Sequence, residues 1–316
     1  MAANYSRRSF IQKTALVTGA LSLLQPDRLQ SQPTQELAIP KMHLFSKHLQ
    51  FLNYTDLAEK AAELGFDGVD LTVRPNGHVR PERVETDLPK AVEALKKVGF
   101  SPSLMTTAVE DAANPVDHRV LETAAQLGIR HYRMNWYWYP ADRSLPESLR
   151  QYQQKVKGLS ELNQKLNLTG GYQNHSGSLV GASAWEVWEM LKTADPETMG
   201  VQYDIRHATV EGGLSWQNGL RLLQSHIKTL VFQDFAWENR AGKWVVKNVP
   251  IGEGMSDYKN YFQLLKQYKI QVSASFHSEH TPGGDGATKL PLSDQKVAFE
   301  SLKKELKRVK ELWQQA

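Results

Sequence analysis

The chain contains no cysteine. Disulfides, thiol nucleophiles and thiolate zinc sites are therefore excluded. No apolar run reaches the length of a membrane span. No Gly-x-Gly-x-x-Gly follows the first expected strand, which weighs against a dinucleotide fold. A lasting excess of one charge is missing too. The formal charge of +4 rests on Arg7, Arg8, Lys13 and Arg28, set against Asp27, near the N-terminus. Without that stretch the balance falls to +1, which gives no electrostatic case for nucleic acid. What is present is a chain of 316 residues, 41% of them hydrophobic, enough for one large core.

The N-terminal charges have their own meaning. Ser6-Arg7-Arg8-Ser9-Phe10-Ile11-Gln12-Lys13 resembles a twin-arginine export signal. The apolar stretch Thr14–Leu24 that follows is too short to span a bilayer but suits a signal core. No clean small-x-small cleavage site is present, and the cut is expected before Glu36. The expected organisation is a signal peptide and linker over residues 1–35 and one catalytic domain over 36–316, in a periplasmic or secreted protein. Twin-arginine systems move folded proteins, so a metal could be acquired before export.

From residue 39 onward, strand-like and helix-like segments alternate. Strands are expected at Lys41–Phe45, Gly68–Val73, Ser101–Met105, His131–Asn135, Thr169–Gln173, Gly200–Asp204, Thr229–Gln233 and Gln271–Ser275. Amphipathic helices are expected between them, several ending at glycine (Gly65, Gly99, Gly128). Eight such units imply a closed parallel barrel, a single (β/α)8 TIM barrel. Arg240–Gly254 interrupts the seventh unit. Its Trp244-Val245-Val246 reads as a hairpin strand, and Pro250–Gly254 as a rigid loop over the barrel mouth.

Four polar clusters close the later strands: Tyr172–His175, Tyr203–His207, Phe232–Asp234 and Phe276–His280. Polar groups at the C-terminal ends of barrel strands are where such folds place their chemistry. Strand parity sorts the side chains that face the axis. It selects Gln173 and His175, then Asp204, then Gln233, then His277 and Glu279. Asp204 and Glu279 supply two carboxylates, with the amide oxygens of Gln173 and Gln233 between them. An oxygen-rich cage of that kind suits Mn²⁺, Mg²⁺ or Co²⁺, with Zn²⁺ as a further candidate.

Seven of the ten histidines lie at or just past expected strand ends: His43, His48, His78, His175, His207, His277 and His280. Clustering of that kind points to ligand contacts, or to side chains supporting them. Arg74 and His78 follow the second strand, and Arg133, Asn135 and Trp136 end the fourth. These five and His277 are the expected substrate contacts, with the aromatic run Trp136–Tyr139 offering faces that stack on sugars.

These segments resemble the xylose-isomerase-like barrel superfamily of sugar epimerases, hydroxypyruvate isomerases and endonuclease-IV-like enzymes, over residues 39–315. The segments that carry it are Asp70–His78, Tyr172–Gly177, Asp204–His207 with Glu211-Gly212-Gly213, Asp234–Trp237 and His277–Glu279. Within it, the likeness is to the exported branch described as sugar phosphate isomerases/epimerases. The resemblance implies one divalent metal held by Glu, Asp, His and Glu. Here Asp204 and Glu279 match, Gln173 replaces the first Glu, and the His falls near Val231, leaving Gln233 as a substitute. The implied activity is metal-dependent isomerisation or epimerisation of a non-phosphorylated sugar or keto-sugar by proton transfer beside a carbonyl. Glu279 is the expected acid/base, and His175 or His207 the second proton carrier. Two alternatives stand: a lyase or hydratase acting on a 3-keto-glycoside, and a non-catalytic periplasmic carbohydrate-binding barrel. The expected partner is a small carbohydrate, with no nucleic acid and no membrane span. Oligomeric state is open.

Overall fold

A computed structural model describes residues 37–316. The arginine pair Arg7–Arg8, the apolar Thr14–Leu24 stretch and the expected cleavage point lie outside the described residues. No helix among the described residues is long and apolar enough to cross a membrane.

Eight strands close into a parallel barrel. They are β1 (Met42–Phe45), β2 (Gly68–Val73), β3 (Leu104–Thr107), β4 (His131–Arg133), β5 (Thr169–Gln173), β6 (Met199–Asp204), β7 (Ile227–Phe232) and, after an inserted hairpin, β10 (Ala274–Phe276). Each pairs with its sequence neighbour, and β10 pairs with both β7 and β1 to complete the ring. The hairpin is β8 (Asp234–Arg240) with β9 (Lys243–Val249), antiparallel.

The helices outside the ring are α1 (Tyr54–Leu64), α2 (Val84–Lys97), α3 (Pro115–Gln126), α4 (Leu145–Leu166), α5 (Ala184–Leu191), α6 (Ile205–Gly212), α7 (Trp216–Leu223), α8 (Tyr258–Gln267) and α9 (Leu292–Gln315). Local chemistry sets their ends. Asn53 and Asn114 accept hydrogen bonds from backbone N–H groups of the first turns of α1 and α3. Ser144 and Glu147 form a capping box at α4. Gly65 closes α1 in the left-handed conformation, with φ of 89°. Gly200 is required by close approach, since a Cβ there would lie 2.1 Å from the His226 carbonyl oxygen.

The apolar core lies between strands and helices. Phe232, Tyr258, Tyr261, Phe262 and Trp313 form one continuous aromatic cluster between β7, α8 and α9. The barrel interior is polar instead. Asp70 Oδ2 accepts hydrogen bonds from Ser275 (2.5 Å) and Thr106 (3.0 Å), tying three strands together beneath the mouth.

The expected alternation is present, with three differences. β3 and β10 each begin three residues later than expected, at Leu104 and Ala274, although the Ser103 and Ser273 carbonyls just before them already accept from His131 N and Leu230 N of the adjacent strands. Helix α6, not expected from the sequence, starts directly after Asp204, whose carboxylate caps it through the His207 N–H. The Pro250–Gly254 segment, expected to cover the mouth, instead wraps the buried Asp234 carboxylate. Gly252 N and Gly254 N donate to its Oδ2, and Ser256 N to its Oδ1. Any Cβ at residue 254 would meet Asp234 Oδ1 and the Phe235 carbonyl at 2.4 Å.

Glu305 of α9 fastens two loops. It accepts from Ile251 N (3.1 Å) and from Ser278 Oγ (2.6 Å), in the turn that carries Glu279. Burial is the main cause that raises its pKa to about 7. An acid raised this way binds its proton more tightly folded than unfolded, so its contribution declines as pH climbs from the unfolded value toward 7. Glu305→Gln should therefore gain stability relative to wild type, on the order of 2 kcal/mol, between pH 5 and 8. Urea unfolding at the two pH values measures it.

Candidate active site

The C-terminal ends of the strands converge on one small pocket. Phe45, Lys47, Arg74, Arg133, Trp136, Gln173, His175, His207, Gln233, His277 and Glu279 line it. Nine of the residues expected from the sequence meet there, with Asp204 directly beneath. His78 and Asn135 do not. His78 turns onto Thr72, with its Nδ1 3.3 Å from the hydroxyl, and Asn135 donates to Glu110 at 2.6 Å.

Asp204 is the fully buried centre of the arrangement. Its Oδ2 accepts from the amide nitrogens of Gln173 (2.7 Å) and Gln233 (2.6 Å), and its Oδ1 from His207 N (3.1 Å). The Asn174 side chain bonds both its backbone N–H and its carbonyl. Burial pushes the Asp204 carboxyl up to about 7, against those donors. Above Asp204, Arg133 donates from Nη1 to Gln173 Oε1 (2.9 Å), and its guanidinium lies 4.1 Å from the centre of the Trp136 ring. The Gln173 amide is thereby polarised at both ends, by a cation at its oxygen and a carboxylate at its nitrogen.

Glu279 is set by its surroundings. His48 accepts from Ser278 N at 2.9 Å, and its Nδ1 lies 2.7 Å from the Gly284 carbonyl oxygen, which fixes the turn. The Glu279 carboxylate accepts from Lys47 Nζ (2.9 Å) and from Asn248 Nδ2 (3.1 Å). Burial raises its pKa, but Lys47 and the other cations outweigh that and hold it below the usual carboxylate value. It is an ionised acceptor at neutral pH.

The histidines differ from expectation. His175 and His207 were expected to titrate near neutrality. Burial lowers His175 to about 4 and holds His207 well below its usual value. Both are neutral. His207 Nδ1 accepts from Ser176 N (3.2 Å) and Arg206 Nη1 (2.8 Å), so its proton sits on Nε2. His277, stacked on Phe45 at 4.2 Å and 3.2 Å from Ser275 Oγ, is likewise held neutral by burial. These rings can accept or donate hydrogen bonds; they are not ready acids.

The expected Gln173–Asp204–Gln233–Glu279 metal cage is not formed. No group of three or more His, Asp or Glu side chains able to hold a metal occurs among the described residues. Both glutamines turn their N–H groups, not their oxygens, toward Asp204. Gln173 Oε1 faces Arg133, and Glu279 is engaged by Lys47. Four cationic side chains (Lys47, Arg74, Arg133 and Arg206) surround three carboxylates (Asp70, Asp204 and Glu279). A divalent ion would add charge of the sign already in excess. The donor set does not fit the metal that the sequence suggested.

Three participants escaped sequence reading. Lys47 sits two residues past β1, a position that strand parity could have flagged. Arg206 lies within a noted cluster but bonds outward to Asn248 (3.0 Å) and His207. Asn248 lies in β9 opposite Phe235, and only the hairpin register brings it back to the mouth.

The profile of the xylose isomerase-like TIM barrel family matches residues 58–292. The chain belongs to that family. No curated protein matches the sequence. Among solved structures, the family barrel here is similar to the IolI protein with a bound zinc atom (TM-score 0.65, 17% identity, 85% of this chain and 97% of that one). It is also similar to 3-keto-D-glucoside 4-epimerase YcjR from E. coli (0.62, 12%, 86% and 100%). A third is the probable 3-DHS dehydratase AsbF from Bacillus anthracis (0.60, 15%, 83% and 97%). At these identities the likeness is one of fold. Epimerases and a dehydratase thus share this barrel, which is consistent with an enzyme of the sugar isomerase/epimerase-like family.

Removing the charge of Lys47 should free Glu279 to hold its proton more tightly. Lys47→Met is expected to raise the Glu279 pKa, because the nearest cation that lowers it is gone. A carboxyl-carbon NMR titration of wild type and variant reads this, and an unmoved pKa would refute the pairing.

Proposed function

We propose that the barrel is a sugar isomerase/epimerase-like enzyme that moves a proton beside the carbonyl of a non-phosphorylated carbohydrate, with Glu279 as the base. The observation that carries this reading is the ionised Glu279 carboxylate facing a small pocket lined by cations. Glu279 takes the proton from carbon, the C–H electron pair forms a carbon–carbon double bond as the carbonyl π pair moves to oxygen, and the enolate charge is met by the cations of the mouth. Return of the proton to the former carbonyl carbon, with the neighbouring hydroxyl proton passing to the former carbonyl oxygen, completes an isomerisation. The neutral His175 and His207 would orient hydroxyls, and Trp136 would pack against the sugar face.

Within this reading one variant is favoured over symmetric epimerisation. Two-base epimerisation needs a second proton carrier, holding a proton to deliver, on the opposite face. Asp204 is buried and engaged by three N–H donors, so Glu279 stands alone. A single base suits a one-sided isomerisation, or a lyase or hydratase step on a 3-keto-glycoside. The N-terminal arginine pair supports an exported enzyme, which would meet sugars without phosphate.

Incubation with a panel of sugars and 3-keto-glycosides in D₂O tests the proposal. Wild type should place deuterium at one substrate carbon. Glu279→Gln should slow that exchange by about 10²–10⁴-fold, the usual worth of a general base. No exchange across the panel would make the protein a carbohydrate-binding barrel instead.

A further inference from the structure

The pocket is richer in unused cationic donors than a neutral sugar requires. Arg133 is 2% exposed, yet its Nε and Nη2 have no hydrogen-bond partner; only Nη1 is used, on Gln173. Arg74, on the neighbouring wall, lies 5.5 Å from the centre of the Phe45 ring. Among the described residues its guanidinium has no hydrogen-bond or ion-pair partner, and only its backbone is bonded, to Val79 and Gly77. Both guanidiniums line the same pocket. Burial first, and then the charge of Arg74, lower the Arg133 pKa to about 9. Two like charges with unfilled donors and little water are costly to keep together. An anion between them would remove that cost.

We propose that Arg74 and Arg133 form a carboxylate subsite, so that the substrate is a sugar acid that carries a ketone next to its carboxylate, the 2-keto-aldonate class. This rests on the proton-transfer reading above and names its substrate.

Shape and charge select a carboxylate. Guanidinium N–H pairs match a planar carboxylate in a bidentate fork. The pocket holds about 40 Å³, room for roughly three waters. That suits the end group of a sugar acid, with the remaining carbons leaning out over Trp136. The same pocket brings Glu279 beside the bound end, so the proton removed would come from carbon close to the carboxylate.

Calorimetric titration of the purified full chain with 2-keto-D-gluconate, D-gluconate, D-glucose and inorganic phosphate tests this. A sugar acid should bind at least about tenfold more tightly than D-glucose, the worth of one charge-assisted hydrogen bond. Its affinity should fall as salt is raised. Arg74→Gln, at the half-exposed rim, should lower sugar-acid affinity far more than glucose affinity, while Arg74→Lys should restore part of it. Thermal unfolding of each variant checks the fold. Equal affinity for acid and neutral sugar, tighter binding of phosphate, or sugar-acid binding untouched by Arg74→Gln would overturn the subsite. The two proposals fail separately. Deuterium exchange on a neutral keto-sugar without any preference for acids would sink the subsite alone. Sugar-acid binding without exchange would sink the proton-transfer reading alone.

Discussion

The mouth of this barrel depends on one buried carboxylate held by two amides. Asp204 takes N–H donors from Gln173, Gln233 and the backbone of His207, and so fixes the inner faces of β5, β6 and the end of β7 together. That choice propagates upward. Because Gln173 gives its nitrogen to Asp204, its oxygen is left to Arg133, and a guanidinium occupies the space above. A carboxylate at position 173 would instead have favoured a cation shared with Asp204 and Glu279. The amide makes the site self-sufficient in positive charge.

The periphery supports the same arrangement. Glu305 on the last helix and His48 after the first strand pin the turn that carries Glu279. The inserted hairpin contributes Asn248, which joins Arg206 on one side to Glu279 on the other. The loop beyond it is spent on enclosing Asp234 and has no role over the mouth. Elements far apart in the chain thus set the position and ionisation of one acid.

Much of this was legible in the sequence, and the rest has physical reasons for being hidden. Strand and helix alternation gave the closed barrel, because the period of apolar residues is local information. Parity correctly brought Gln173, Asp204, Gln233, His277 and Glu279 to one place. The metal did not follow, because parity fixes direction and says nothing about which atom of an amide faces inward. The histidines looked titratable because their burial is a tertiary property. The helix after Asp204 was missed because Ile205–Gly212 is short and weakly apolar, and its start depends on a capping carboxylate. His78 and Asn135 lay at the correct strand ends but found nearer partners in Thr72 and Glu110.

The central claim is that side-chain cations, and no divalent ion, supply the positive charge at the mouth. Elemental mass spectrometry of protein purified through its native route, without added metal or chelator, tests it most directly. The account predicts no stoichiometric manganese, magnesium, cobalt or zinc. One ion per chain, retained through dialysis and lost in Asp204→Ala, would contradict it.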